Sequence, residues 1–227
     1  MIPPAARMTA VRLLAALIAG WSLNCAAAPF AVQVGEARIG LDAPSGFADT
    51  TFTASPRLQE MGESLTSASN RILLFAVSDA DLRRFMTGDQ LEMRRYMIAV
   101  TPRGMERDRV SEDLFKRFIG ESLAGLGAPP AEKDVVKYLD SRETGAVSLL
   151  QELRKDADVV SVLQGVRSKA NFFERSKYLL SSTTLLLLRG KALSLSVYTQ
   201  YEDPADLEWI RVTTARWIDE LKRLNPR

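Results

Sequence analysis

The stretch Thr183-Thr-Leu-Leu-Leu-Leu-Arg-Gly-Lys-Ala-Leu-Ser-Leu-Ser-Val-Tyr198 constrains the fold more than any other part of the chain. Leu185 to Leu188 are apolar at every position, and a strand reads this way when both of its faces are covered, which places it centrally in a sheet. Arg189-Gly190-Lys191 reads as a tight hairpin, with Gly190 supplying the positive φ that such turns require. On the return, Leu193, Leu195 and Val197 alternate with Ser194 and Ser196, so the second strand has one apolar face and one thinner, more polar face. A strand covered on both sides needs a layer on each side of its sheet. The expected fold is therefore α+β: a single domain with a largely antiparallel sheet and helices packed on its faces, in an α/β/α sandwich-like arrangement.

The remaining segments fill in those layers. Val32-Gln-Val, Gly35-Glu36 and Ala37 to Leu41 predict an opening hairpin closed by Asp42-Ala-Pro-Ser-Gly46. Ser55-Pro56 starts a short helix with Leu58, Met61 and Leu65 on one side, and Pro is tolerated there because the first helical N–H has no partner to lose. Arg71 to Val77 predicts a strand. Asp79 is the expected cap of a short helix running to Phe85 or Met86, with Leu82, Phe85 and Met86 inward, and Glu92 to Thr101 the next strand. Ser111 caps a helix whose Leu114, Phe115, Phe118, Ile119 and Leu123 share one face. Ala131 to about Lys155 reads as helical, broken near Gly145, with Val135, Val136, Leu139, Leu149, Leu150 and Leu153 inward. Strands follow at Val159 to Val166, Phe172 to Leu180, Thr183 to Leu188 and Leu193 to Tyr201. Asp203-Pro204 opens a final helix that buries Leu207, Ile210, Thr214, Trp217 and Leu221, with Lys222 and Arg223 at its dipole-favoured end.

The first 28 residues read as an export leader: Arg7 and Arg12 precede an apolar core, Leu13 to Leu23, and Ala26-Ala27-Ala28 then offers a small-residue exit before Pro29. Cleavage is expected after Ala28, leaving a domain at 29–227 in the periplasm or secreted. Met8 serves as a start equally well, since the leader is intact from there. Cys25 follows Asn24 and lacks the small residue that lipid attachment wants directly before it, so it leaves with the leader. Removing the leader's two arginines from 30 Lys+Arg leaves 28 bases against 28 acids. The mature chain is then neutral and free of cysteine, held together by apolar burial that a 46% hydrophobic composition can supply.

That composition narrows the chemistry. The 227 residues contain no histidine and one cysteine, which excludes Ser-His-Asp and Cys-His catalysis and the usual zinc sites. No lysine follows a serine at the three-residue spacing of a Ser-Lys dyad, and no Gly-rich phosphate loop occurs. Asp79-Ala80-Asp81 resembles the start of a calcium loop but lacks the glycine and closing glutamate such a loop needs, so helix capping is its expected role. No cofactor and no catalytic or metal-binding residue is assigned. Carboxylate pairs brought together by folding stay open as catalysts.

Two basic-aromatic quartets, Arg83-Arg84-Phe85-Met86 and Arg94-Arg95-Tyr96-Met97, raise nucleic-acid binding. The first falls on a helix and the second on a strand, where adjacent side chains point to opposite faces. Arg94 and Arg95 are therefore expected to part, and a neutral exported chain lacks the one-sided positive charge such binders carry.

The run from Thr183 to Tyr198, followed by Asp206-Leu-Glu-Trp-Ile and Trp217, resembles the closing strand-hairpin-strand-helix of uncharacterised exported proteobacterial α/β proteins. The order of elements also resembles the PsbP/Mog1-like architecture. What the resemblance implies is an accessory or assembly factor, with no catalytic residue to carry over. The chain is thus expected to be a non-enzymatic periplasmic binding module of the cell envelope, taking another envelope protein or a small apolar ligand, with no nucleic acid and no transmembrane segment in the mature chain. Its candidate surface is the sheet face or the cleft beside the final helix, where Tyr201 and Trp209 are the aromatics to examine, with burial in the core as their competing role. The alternative is a carboxylate-dependent hydrolase of an envelope polymer, which requires two acids converging in a cleft. Cleft acids already matched by arginine remove its basis.

Overall fold

The computed structural model describes residues 29–168 and 177–226. A hairpin of β1 (Phe30–Val34) and β2 (Ala37–Leu41) precedes β3 (Phe47–Asp49), a 3-10 turn at Thr51–Thr53 and α1 (Pro56–Ser64). Then come β4 (Asn70–Ser78), α2 (Asp79–Met86), β5 (Arg95–Pro102), α3 (Glu112–Ser122) and α4 (Val135–Asp140). The chain ends with β6 (Ser148–Asp156), β7 (Val159–Arg167), β8 (Tyr178–Leu188), β9 (Lys191–Tyr201) and α5 (Pro204–Leu224). Strands β3 to β9 form one antiparallel sheet in the order β3-β4-β5-β9-β8-β7-β6, and β1 and β2 pair separately. The architecture is α+β in a single domain, as the residue patterns require.

The β8–β9 hairpin sits at the centre, and its turn places Arg189 and Gly190 at φ 50° and 76°, so both central residues occupy the left-handed region. Leu185, Leu186 and Leu188 are buried, as an apolar run on a central strand should be. One sheet face carries the main core. Leu74, Met97, Leu193, Leu195 and Leu186 meet Ile210, Trp217, Ile218 and Leu221 of α5 and Ile39 and Leu41 of β2. Each such side chain contributes about 1.5–3 kcal/mol on full burial. The hydroxyls among them are paired, Ser182 with Thr214 at 2.6 Å and Ser161 with Thr184 at 2.7 Å, so their burial carries no orphan penalty. Asn225 fastens β2 to the end of α5: its side chain accepts from the Gly40 N–H and donates to the Gly40 and Leu221 carbonyls, each at 2.8 Å.

The opposite face is closed by two separate small clusters. Phe115 and Val110 pack with Leu185 and Ala192 beneath α3, while Phe75, Val77 and Tyr96 pack with Met61 and Leu82 of α1 and α2. Ser194 and Ser196 lie half-buried on this face.

Several expected elements change. The span from Ala131 to Lys155 holds only the six residues of α4 as helix, and Leu149, Leu150 and Leu153 belong to β6. Register shifts between Leu149 and Gln151 and between Glu152 and Arg154 break the strand's alternation, so its apolar residues fall at helix-like spacing. Tyr178–Leu188 is one strand of 11 residues in place of two; Phe172 lies outside the described residues. Strand β5 begins at Arg95, three residues later than Glu92. Ser78 caps α2, accepting from the Asp81 N–H at 3.1 Å, in place of Asp79. Met86 is 68% exposed, off the inward stripe expected of it. Among the described residues no helix is long and apolar enough to cross a membrane.

A groove along the final helix

Helix α5 starts where Asp203 and Asp206 cap it reciprocally: Asp203 accepts from the Ala205 N–H at 2.7 Å, and Asp206 accepts from the Glu202 and Asp203 N–H groups. The Asp206 carboxylate is buried and takes two arginines as well, Arg95 at 2.7 Å and Arg94 at 3.6 Å. Arg94 also reaches Glu202 at 2.9 Å. The expectation that Arg94 and Arg95 part is overturned. Arg94 stands just before the strand, where its long side chain swings over the sheet end, and a buried carboxylate supplies the target. Burial alone raises the Asp206 pKa, but the Arg95 hydrogen bond and the two backbone donors outweigh it and hold the carboxyl below its ordinary range.

The same Arg95 lies over the indole of Trp209, 4.3 Å from the ring centroid, a cation–π contact worth about 0.5–2 kcal/mol. Phe47 of β3 adjoins the indole, with centroids 5.9 Å apart. Trp209, half-buried, faces a groove of ≈ 860 Å³ between α5 and the turn joining β2 to β3, within the roughly 300–1,000 Å³ typical of ligand sites. Val212 and Trp217 of α5 and Ala43 and Pro44 of the turn give it an apolar lining. Trp217 is itself buried, and its indole N–H donates to the Asp42 carbonyl at 2.9 Å, which pins the turn to the helix.

Four acids line this groove, Asp42, Glu208, Asp219 and Glu220. Asp219 pairs with Arg154 at 2.7 Å, Glu220 with Arg223, and Glu208 with Arg211 at 3.9 Å. Asp42 is the exception. Burial pushes its pKa up, with a smaller push from Glu220, against the Ala43 N–H and Arg223, which lower it, and its Oδ1 has no hydrogen-bond partner. On the rim, Arg216 is exposed and joins no ion pair among the described residues. No group of three or more metal-ligating side chains occurs among the described residues.

The two aromatics singled out in the sequence part company. Trp209 lines the groove. Tyr201 does not: it is half-buried at the end of β9, edge-on to Tyr178 at 6.4 Å, with its phenol pKa raised by burial and by Asp134, Asp203 and Asp206. Asp42, Pro44, Phe47 and Arg216 escaped the sequence reading. The turn at Asp42 to Gly46 was legible as a turn, yet nothing in it marks the helix it will face.

No protein-family model matches the chain, and no curated protein sequence does. Among solved structures it is similar to the Ran-binding protein Mog1p of Saccharomyces cerevisiae, at 12% identity and a TM-score of 0.41, covering 87% of this chain and 94% of that one. A point mutant of protein Mog1 gives 13% identity and a TM-score of 0.40 over the same shares. This is a weak likeness of general architecture, and no activity transfers across it.

Proposed function

We propose that the chain is a non-catalytic accessory module of the bacterial cell envelope, exported by its leader, whose groove along α5 receives an apolar side chain of a protein partner. One observation carries the reading: an apolar surface at Trp209, Val212 and Pro44 opens to solvent between acids of which all but Asp42 are matched by arginine. Such a surface offers contact area and a charged rim, the anatomy of a docking site. The hydrolase alternative draws on Asp42, whose burial favours its protonated form, but it needs a second, ionised carboxylate free to act. Of the other groove acids, Glu220, whose charge reaches Asp42, is held ionised by Arg223, Asp219 pairs with Arg154, and Glu208 stands 3.9 Å from Arg211, so a second carboxylate would have to act while paired to an arginine.

A photo-crosslinker placed at Thr213 in the full chain, expressed with its leader in a Gram-negative host, tests the docking. The expected result is one stoichiometric protein adduct from the envelope fraction, lost when Arg is placed at Val212 to fill the groove. Adducts indifferent to that substitution would remove the groove as the docking surface. Mass analysis of the product should give a chain beginning at Pro29, and an intact leader on a cytoplasmic product would overturn the export reading.

A further inference from the structure

We propose a second, independent binding site at the open edge of β4, which accepts a short extended peptide carrying an acidic group as an added strand. Strand β4 is paired by β5 over residues 70–77 but by β3 only over residues 76–78. Thr50 prolongs that cover by one position, its N–H and hydroxyl both donating to the Phe75 carbonyl at 2.8 and 2.9 Å. There the cover ends. Asp49 accepts from the Thr51 N–H at 3.1 Å, and the chain turns away through the 3-10 turn into α1. Residues 70–74 of β4 thus have no strand on their outer side among the described residues.

Strand edges are usually blunted by proline or lysine, or covered. The open run Asn70-Arg-Ile-Leu-Leu74 contains neither of those residues, and its one charge, Arg71, is matched by Glu106 at 2.8 Å. Instead a groove of ≈ 830 Å³ runs along it, walled by α1. Leu58, Gly62, Ile72 and Phe75 make its apolar base, and Gln59 its outer wall. Gly62 lets the helix lie this close, since a Cβ there would sit 3.1 Å from the Phe75 ring. An open edge beside a helix is the arrangement in which main-chain hydrogen bonds hold an incoming peptide while alternate side chains enter the groove.

Charge and length select the occupant. Three charged residues line the groove: Glu63 accepts from the Gln59 side chain at 2.9 Å, Arg71 is matched by Glu106, and Arg103, its Nε donating to the Asn70 carbonyl at 3.1 Å, joins no ion pair among the described residues. An anionic group is its natural complement. The open run is short, five residues from 70 to 74, an edge of the length a peptide covers. A short peptide with an acidic residue or free carboxylate fits both features.

Random octapeptides displayed on phage and selected against the full chain test this. Enriched sequences should alternate apolar residues and include an acid. In the best synthetic peptide, N-methylation at every second backbone nitrogen should weaken binding at least tenfold, while methylation of the intervening nitrogens leaves it unchanged. Gln59→Trp, which fills the groove from an exposed helix position, and Arg103→Glu should each weaken binding about tenfold or more. Val212→Arg should leave it unaltered, which separates this site from the α5 groove. The proposal falls if no sequence is enriched, if methylation shows no alternation, or if Val212→Arg and not Gln59→Trp abolishes binding. A peptide-free dimer broken by Gln59→Trp would assign the edge to a second copy and equally overturn it.

Discussion

The two faces of one sheet are closed in different ways. On the first, the 21 residues of α5 and the β1–β2 hairpin share a continuous core from Ile39 to Leu221. On the second, three short helices cover two separate clusters around Phe115 and around Phe75. A continuous core shares each contact among many neighbours and opens only when the domain unfolds, whereas small clusters release locally at lower cost. The α5 groove is backed by the first kind of packing and the β4 edge groove by the second, so the former should be a preformed site and the latter an adaptable one.

Replacing Trp217 by Ala should sharpen this contrast most. It removes the largest buried side chain of the α5 face and the hydrogen bond that holds the Asp42 turn, and it should cost about 3–5 kcal/mol in chemical denaturation. An effect under about 1 kcal/mol would show that this face is not the stabilising one.

Asp206→Ala should follow at roughly 2–4 kcal/mol, since it removes one half of the α5 capping box and leaves Arg95 without its carboxylate. The pH dependence has a definite sign. A carboxyl whose folded pKa is depressed contributes stability above its unfolded pKa and loses it as pH falls through the folded value. Wild type should therefore lose stability below about pH 4, and Asp206→Asn should flatten that limb of a melting-temperature profile. Asp42 runs the other way, because its folded pKa is raised. Asp42→Asn should raise the melting temperature at pH 7, and the gain should vanish as pH falls below the ordinary carboxylate range.

Phe115→Ala tests the other face. Its loss should be read mainly as faster hydrogen exchange across α3 while β8 and β9 amides keep their protection, because the cluster under α3 stands apart from the main core. Global unfolding without such local opening would erase the distinction between the faces. The smallest effect is expected at Ser194→Ala, within about 0.5 kcal/mol by thermal denaturation, as a half-buried residue on the thinly covered face.

How much of this was legible depends on how local each cause is. The β8–β9 hairpin, the opening hairpin and α5 with its cap follow from turn residues and apolar spacing between near neighbours. β6 was misread for the same reason: its bulges place Leu149, Leu150 and Leu153 at a helix's interval, and only pairing with β7 decides between the two. Of the candidate site, Trp209 was visible as an aromatic of the final helix, and its neighbours were not. Arg94 and Arg95 were assigned to opposite faces by a rule for side-chain origins that says nothing of where long side chains end.

The sequence by itself determined the central hairpin, the layer on each face and the absence of imidazole from any chemistry this chain performs, because these depend on residue identity and on periods of two and 3.6 residues. Only the tertiary structure decided that Arg95 would meet Asp206 across 111 positions, that Arg154 would reach Asp219 in the groove, and that β3 would stop short of covering β4. Those outcomes depend on which distant groups share a buried, low-dielectric space and on where a neighbouring strand ends, quantities that no local pattern encodes.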